Sequence, residues 1–156
     1  MRAIRLEHAF LLLLLTCIWT LLASNMLASS RRHDFVNLYT GGSLTLQGRF
    51  ADLHDPQLQL QLERALVPDL RALVPFVRPH FYALALAPLA LLDFDTAFAV
   101  WIALQTLLLL TAWYWGYRRF GPDSLLFSAL FLPGPLGVAS GQDCAILLLL
   151  LILSYD

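Results

Sequence analysis

One carboxylate in a short cationic cluster is the residue best suited to chemistry in this sequence. Asp34 directly follows Arg31, Arg32 and His33, just after a long apolar run. A carboxylate among cations at a membrane surface can act as a general base toward an acceptor hydroxyl, while arginines hold a phosphate through paired hydrogen bonds. In the structural alternative, the arginines anchor lipid headgroups and Asp34 caps a helix that starts at Phe35. Spacing alone favours the structural alternative.

Three other polar groupings have the residue types of metal or nucleotide sites. They are His33-Asp34, His54-Asp55 and the string Asp93-Phe94-Asp95. Imidazole and carboxylate are competent metal ligands, and an Asp-x-Asp string in nucleotide-sugar enzymes binds a metal that holds a diphosphate. The two dipeptides lie 21 residues apart, which is a weak signal, and Asp95 is better explained as the N-cap of a following helix. We therefore predict neither a metal site nor a cofactor.

Gln142 and Asp143 follow Gly141 in the middle of an otherwise apolar stretch at residues 124–154. Polar side chains at membrane depth tend to face the interior of a helix bundle, which would make this pair part of a site. The alternative is a loop between two short membrane spans. The sequence supports these two interpretations equally.

The composition indicates a membrane protein. Hydrophobic residues make up 59% of the chain and charged residues 13%, whereas soluble domains are nearer about one half and about one quarter. The basic residues are all arginine and the net charge is −1, so we expect no nucleic-acid partner. Cys17 and Cys144 lie in apolar segments, which favours a packing role over a disulfide or metal site. Membrane lipids are therefore the expected surroundings.

The first apolar run, residues 9–28, is long enough to cross a bilayer. At about 1.5 Å per residue it spans roughly 30 Å, the thickness of the hydrocarbon core. The alternative is a cleaved signal peptide with Ala28 and Ser30 at the cleavage site, but the run is longer than such signals and Glu7 interrupts the basic leader. We therefore predict a retained helix with a cytoplasmic N-terminus and an extracytoplasmic loop at residues 31–75.

Short interfacial helices are expected within this loop. Gly41, Gly42 and Gly48 predict turns or helix ends in its first half. Between residues 57 and 75 the pattern indicates a helix on the membrane surface, although the Gln-Leu alternation also fits a strand. The residues expected on the apolar face are Leu58, Leu62, Ala65 and Leu66, and those expected to face elsewhere are Gln59, Gln61, Glu63 and Arg64.

Three later segments complete the predicted fold. Residues 76–92 form a short or re-entrant membrane helix, residues 96–117 form a transmembrane helix, and residues 124–154 form broken or paired short spans. Arg118 and Arg119 would lie outside if the first two segments both cross, and inside if residues 76–92 are re-entrant, as the positive-inside rule prefers. We therefore predict an all-α integral membrane bundle, of which this chain is the N-terminal part.

Several short patterns combine into a family resemblance. They are Asp34-Phe35, Tyr39, Gly48 and Leu53-His54-Asp55-Pro56 in the first loop, then Arg78-Pro79-His80-Phe81-Tyr82, Pro88-Leu89-Ala90-Leu91-Leu92 and Trp101, and finally Gly141-Gln142-Asp143. In order and spacing they resemble glycosyltransferase family 87, whose members have GT-C architecture and use polyprenol-phosphate sugars. His54, His80 and Asp93 stand where tyrosine, proline and proline are usual, and family members are typically much longer than this chain.

The resemblance implies an inverting hexosyl transfer, mannosyltransferase-like, from a polyprenyl-phosphate sugar to a glycan or glycolipid acceptor. Asp34 would take the proton of the acceptor hydroxyl as C1 is attacked and the lipid phosphate departs. Arg78 and His80 are our candidates for binding the phosphate, by their charge. The remaining candidate substrate-binding residues are Tyr39, Gln142 and Asp143.

The alternative function is a non-catalytic membrane scaffold or assembly protein, which would suit a chain shorter than the members of the family. The two functions differ in one measurable property, because only a transferase moves a sugar from a polyprenyl-phosphate donor. In either case we expect a multi-pass protein of the bacterial inner membrane.

Overall fold

The computed structural model describes residues 33–124 and 133–154, and every regular element in these ranges is a helix. The all-α prediction is therefore confirmed for the described part of the chain. The described residues up to Ile102 form one compact unit, and those from Ala103 onward belong to a second. Outside the described residues lie the predicted membrane helix at 9–28, Cys17, Arg31 and Arg32.

The first unit is built around its first described helix. In chain order its elements are α1 (His33–Leu46), a 3₁₀ helix (Phe50–His54), α2 (Pro56–Leu66), α3 (His80–Leu86), a second 3₁₀ helix (Ala87–Leu91) and the start of α4 (Phe94–Phe120). α1 contacts α2, α3 and both 3₁₀ helices. It is also the main source of the core, since four of its apolar side chains are at most 1% exposed: Phe35, Val36, Leu38 and Leu44.

Gly41 and Gly42 lie inside α1, so the prediction of turns or helix ends at these positions is wrong. Their role is close packing. A Cβ atom at Gly41 would lie 2.7 Å from the Phe76 ring, and one at Gly42 would lie 2.9 Å from the carbonyl oxygen of Leu86. The absence of side chains lets these neighbours approach the helix, which outweighs the low helix propensity of glycine.

Gly48 ends α1, as the sequence predicts. Its φ of 73° is in the left-handed region, which glycine adopts without strain. The N–H groups of Gly48 and Arg49 donate to the carbonyl oxygens of Thr45 and Leu44, at 2.9 and 2.8 Å. This is the hydrogen-bond pattern of a Schellman motif, and it turns the chain into the first 3₁₀ helix.

α2 buries two polar residues that the sequence predicts to lie away from its packed side. Gln59 and Glu63, one turn apart, are 2% and 0% exposed, whereas Ala65 is exposed. The helical interpretation is therefore correct for residues 57–66 and wrong for residues 67–75, which contain no helix. The strand alternative is wrong, and so is the outward placement of Gln59 and Glu63, whereas Gln61 and Arg64 are exposed. Alongside the polar residues, the helix packs on an apolar cluster that consists of Val36, Val67 and Leu70.

α3 and the second 3₁₀ helix run together as His80–Leu91. With rises of about 1.5 and 2.0 Å per residue, they span roughly 20 Å, less than the roughly 30 Å of a bilayer core. Pro88 lies in the first turn of the 3₁₀ helix and lacks the N–H that a continuing α-helix needs. Phe81 and Leu91 are 72% and 71% exposed. The predicted short or re-entrant segment at residues 76–92 stays a prediction, and this length is compatible with it.

α4 covers the predicted transmembrane segment at residues 96–117. Its 27 residues rise about 40 Å. Among the described residues it is the one helix that is long and apolar enough to cross a membrane, judged by length and composition. Thr96 N–H donates to Asp93 Oδ1 at 3.0 Å, so Asp93 caps the helix. The prediction of Asp95 as the N-cap is wrong, because the helix already begins at Phe94.

The described part of the second unit contains two short helices after α4, namely α5 (Pro133–Ser140) and α6 (Cys144–Ser154). α5 ends in a second Schellman motif: Gly141 has a φ of 88°, and the N–H groups of Gly141 and Gln142 donate to the carbonyl oxygens of Val138 and Gly137. Between residues 133 and 154 the two helices are therefore separated at Gly141, and the predicted broken or paired spans at residues 124–154 stay a prediction. The apolar core here consists of Leu109, Val138 and Ala145.

Candidate functional site

Asp34 lies in the first turn of α1 and is half-buried. The next residue, Phe35, is fully buried, with ring centroids 5.7 Å from Phe94 and 6.1 Å from Trp101. This aromatic anchor holds the helix backbone at Asp34. α1 already includes His33, so Asp34 is not the cap of a helix that starts at Phe35, and the structural alternative is wrong in that detail. The carboxylate sits where a helix favours negative charge.

Tyr39, five residues after Asp34, joins α1 to the segment that precedes α4. Its hydroxyl donates to the carbonyl oxygen of Leu92 at 2.8 Å, and its ring meets Phe94 edge-on at 5.3 Å. Burial and, to a smaller extent, the negative charge of Asp93 raise the pKa of the Tyr39 hydroxyl, so it remains a neutral donor. The observed contact is structural, and the role of Tyr39 in substrate binding stays a prediction.

The Leu53-His54-Asp55-Pro56 pattern is accounted for by local structure. Leu53 is fully buried, and Asp55 caps α2 by accepting from the backbone N–H groups of Gln57 and Leu58. Pro56 opens the helix, where its fixed φ is favourable and its missing N–H costs nothing. Asp55 is therefore used as a cap rather than as a ligand beside His54. Within residues 33–124 and 133–154, no three His, Cys, Asp or Glu side chains form a group that could hold a metal ion.

His54 is the residue of this pattern that reaches another candidate site residue. Its Nδ1 lies 3.1 Å from the carbonyl oxygen of Phe76, and its ring lies edge-on to that of His80 at 5.2 Å. A carbonyl can only accept, so Nδ1 carries the proton, and Nε2 accepts in the neutral ring and donates in the charged ring. Sequence reasoning named His80 and the half-buried Arg78 for phosphate binding, and missed His54 beside them.

Four side chains hold the backbone of residues 74–76, which end two residues before Arg78. Val74 N–H donates to Glu63 Oε2 at 3.1 Å, and Phe76 N–H donates to Gln59 Oε1 at 3.1 Å. The carbonyl oxygen of Pro75 accepts from Asn37 Nδ2 at 3.5 Å, and that of Phe76 accepts from His54. Gln59 Nε2 also donates to the carbonyl oxygen of Leu53. We call this arrangement, made by Asn37, His54, Gln59 and Glu63, the backbone clamp.

Three of the four clamp residues are buried polar groups that the sequence does not reveal as such. Asn37, Gln59 and Glu63 are at most 6% exposed. Burial raises the pKa of the Glu63 carboxyl to about 7, against an opposing effect of the Val74 N–H group. The alternation of Gln and Leu from residue 57 makes both faces of α2 look alike. The sequence does contain one signal for the buried face. Asp55 followed by Pro56 is the pattern of an N-cap and first helical residue, and knowing where the helix starts helps to predict which residues share a face.

Gln142 and Asp143 belong to the second unit, which is described by itself. Gln142 is exposed and completes the Schellman motif after Gly141, while Asp143 is 9% exposed, directly before α6. Gly137 leaves room for Cys144, the residue after Asp143, since a Cβ atom at position 137 would lie 2.5 Å from Cys144 Sγ. The pair therefore lies in the turn between α5 and α6, and its role in substrate binding stays a prediction.

Comparison with known proteins adds one match. The family model described as Glycosyltransferase family 87 matches residues 76–155, just over half of the chain. The matched range begins after Asp34 and Tyr39, and it contains Arg78, His80 and Gln142. No curated protein and no solved structure matches the chain. The match is thus independent of the first-loop pattern on which the interpretation of Asp34 rests.

Proposed function

Since the chain belongs to glycosyltransferase family 87, we propose that it transfers a sugar from a polyprenyl-phosphate donor to a glycan or glycolipid acceptor. The reaction takes place at the extracytoplasmic face of a bacterial inner membrane that the protein crosses several times. The family assignment supports a sugar donor and an acceptor, and the apolar helix α4 supports a membrane location. The first-loop pattern supports the choice of donor and face.

In this proposal Asp34 is the general base. Its carboxylate accepts the proton of the acceptor hydroxyl while that oxygen attacks C1 of the sugar from the side opposite the phosphate. The bond from C1 to the phosphate oxygen breaks, its electron pair leaves with the lipid phosphate, and the configuration at C1 is inverted. The observation that carries the assignment is the position of Asp34: a half-buried carboxylate in the first turn of α1, held by the buried ring of Phe35.

Arg78 and His80 bind the departing phosphate in this proposal. Negative charge grows on the phosphate as the bond to C1 breaks, and a guanidinium group stabilises it through charge-assisted hydrogen bonds. His80 is exposed at the N-terminus of α3, next to the His54 ring at 5.2 Å. Tyr39, Gln142 and Asp143 complete the proposed substrate-binding residues.

The test is the variant Asp34→Asn, which keeps the size of the side chain and removes the base. We expect transfer from a polyprenyl-phosphate sugar to fall by about 100-fold or more, with expression and thermal unfolding unchanged. The matched control is Asp69→Asn, an exposed carboxylate in the same unit, which should retain full turnover. Full turnover in Asp34→Asn would exclude Asp34 as the base. A wild-type chain with no transfer from any such donor would favour the non-catalytic scaffold.

A further inference from the structure

We propose that Gln59 and Glu63 are positioning residues for a lipid phosphate, acting through the backbone of residues 74–76 to place Arg78 and His80. The inference deepens the proposed function, because it rests on Arg78 and His80 as the phosphate-binding groups. Neither Gln59 nor Glu63 belongs to the proposed catalytic or substrate-binding set.

Gln59 and Glu63 are buried polar side chains, and burying such a group costs free energy. A leucine side chain at either position would have no polar group of its own to satisfy, whereas a buried amide or carboxylate is unfavourable unless it has partners. Glu63 accepts from the backbone N–H of Val74 and Gln59 from that of Phe76, and the Gln59 amide also donates to the carbonyl oxygen of Leu53. The chain between α2 and α3 has no regular secondary structure around these residues, so its buried N–H groups depend on side chains. Gln59 and Glu63 therefore determine where this segment lies.

The chain from the backbone clamp to His80 is short and stiff. The Phe76 ring is 3% exposed and lies against Gly41, so the side chain is held as well as the backbone. Three residues after Phe76, Pro79 has a fixed φ, here −60°, and it restricts the residue before it, Arg78, to extended conformations. Few backbone angles remain free between Phe76 and His80. A shift of Phe76 is therefore transmitted to both proposed phosphate ligands.

The backbone of Phe76 also holds His54, whose ring lies beside that of His80. The carbonyl oxygen of Phe76 accepts from His54, while the N–H of the same residue donates to Gln59. The His54 ring in turn lies 5.2 Å from that of His80. Phe76 thus connects the buried face of α2 with the imidazole rings of His54 and His80. Loss of the Gln59 contact would disturb His54 and His80 together.

The experiment measures the binding of polyprenyl phosphate, without a sugar, to the full chain in lipid nanodiscs. We expect Gln59→Leu and Glu63→Leu each to weaken binding by about tenfold, the equivalent of losing one good hydrogen bond. The control Gln61→Leu makes the same chemical change on the exposed side of α2 and should bind as the wild type does. Glu63→Gln keeps an acceptor for Val74 N–H and should restore binding. Where leucine at position 59 does not fold, Gln59→Asn shortens the amide instead.

A double-mutant cycle separates positioning from a general loss of stability. In an Arg78→Ala background, Gln59→Leu should weaken phosphate binding by clearly less than it does in the wild type, because one of the two residues that Gln59 places is gone. A merely structural Gln59 would lower the Tm and leave the Kd of the folded protein unchanged. Amide hydrogen exchange at Phe76 should accelerate in Gln59→Leu, and that at Val74 should accelerate in Glu63→Leu.

The outcomes for the inference and for the proposed function can be distinguished. Wild-type binding of polyprenyl phosphate by both leucine variants would overturn the inference and leave the proposed function intact. Asp34→Asn should bind polyprenyl phosphate normally. Suppose that the wild-type chain binds polyprenyl phosphate in a way that depends on Gln59 and Glu63, yet transfers no sugar. This result would overturn the proposed function and leave the inference standing. A wild-type chain that does not bind polyprenyl phosphate at all would overturn both.

Discussion

Gly41 and Phe76 lie in such close contact that a Cβ atom on the glycine would sit 2.7 Å from the phenylalanine ring. The contact joins α1, which carries Asp34, to the segment that leads to Arg78. Helical glycine is usually a weakness. In α1, Gly41 instead provides the surface on which the buried ring of Phe76 packs.

The first prediction concerns this contact. Gly41→Ala should destabilise the protein by roughly 1–3 kcal/mol, since the added methyl group forces the buried Phe76 ring to move. Thermal or denaturant unfolding followed by circular dichroism measures the change. Gly116→Ala is the control: it also lies inside a helix, but a Cβ atom there would come no closer than 3.9 Å to Ser124. Equal effects of the two substitutions would contradict the packing role of Gly41.

The second prediction concerns pH. Burial raises the pKa of Glu63 from 4.5 in the unfolded chain to about 7 in the folded chain. Between pH 4.5 and about pH 7, Glu63 is therefore protonated in the folded chain and ionised in the unfolded chain. The contribution of Glu63 to stability is therefore greatest below about pH 4.5 and is lost as the pH rises to about 7.

Glu63→Gln removes this titration and keeps the acceptor for Val74 N–H. We expect the variant to be more stable than the wild type at pH 8 by roughly 1–3 kcal/mol, and the difference to shrink toward pH 4.5. Unfolding curves of both proteins from pH 4.5 to pH 8 measure it. Parallel pH dependences of the two proteins would show that Glu63 does not titrate in this range.

The third prediction concerns the start of α4. The hydrogen bond from the Thr96 side chain, together with that from the Thr96 N–H, lowers the pKa of Asp93. A lowered pKa means that the contribution of the charged cap is present at neutral pH and is lost on acidification. Asp93→Ala should therefore lower the Tm at pH 7 more than Asp95→Ala does, and the difference should narrow in acid. A larger loss of Tm in Asp95→Ala than in Asp93→Ala would show that Asp95 is the residue that caps α4.

The fourth prediction concerns topology. The combined helix His80–Leu91 spans roughly 20 Å, which is too short to cross a bilayer core unaided. We therefore expect a re-entrant segment, with residue 50 outside and residue 119 in the cytoplasm, in agreement with the positive-inside rule. Phe50→Cys and Arg119→Cys, each in a Cys17→Ser, Cys144→Ala background, are to be labelled with an impermeant maleimide on intact cells. Labelling of both from outside would mean that residues 76–92 cross the membrane.

Composition and local pattern were sufficient for the coarse description of this protein. The high apolar content and the long uncharged runs predict a helical membrane protein, because a bilayer leaves few other ways to satisfy the backbone. Local signals also worked where the chain decides its own conformation, as at Gly48, whose positive φ ends α1. The family resemblance likewise follows from the order of short motifs.

Tertiary structure alone decided the roles of residues whose local signals are ambiguous. The sequence predicts turns or helix ends at Gly41 and Gly42. In the structure both glycines lie inside α1, where Phe76 and α3 pack closely against them. Gln59 and Glu63 read as outward polar residues, and they are buried because residues distant in sequence need their hydrogen bonds. A sequence pattern reports the preference of a residue for a local conformation. Which distant backbone group meets that residue is settled only when the chain is packed.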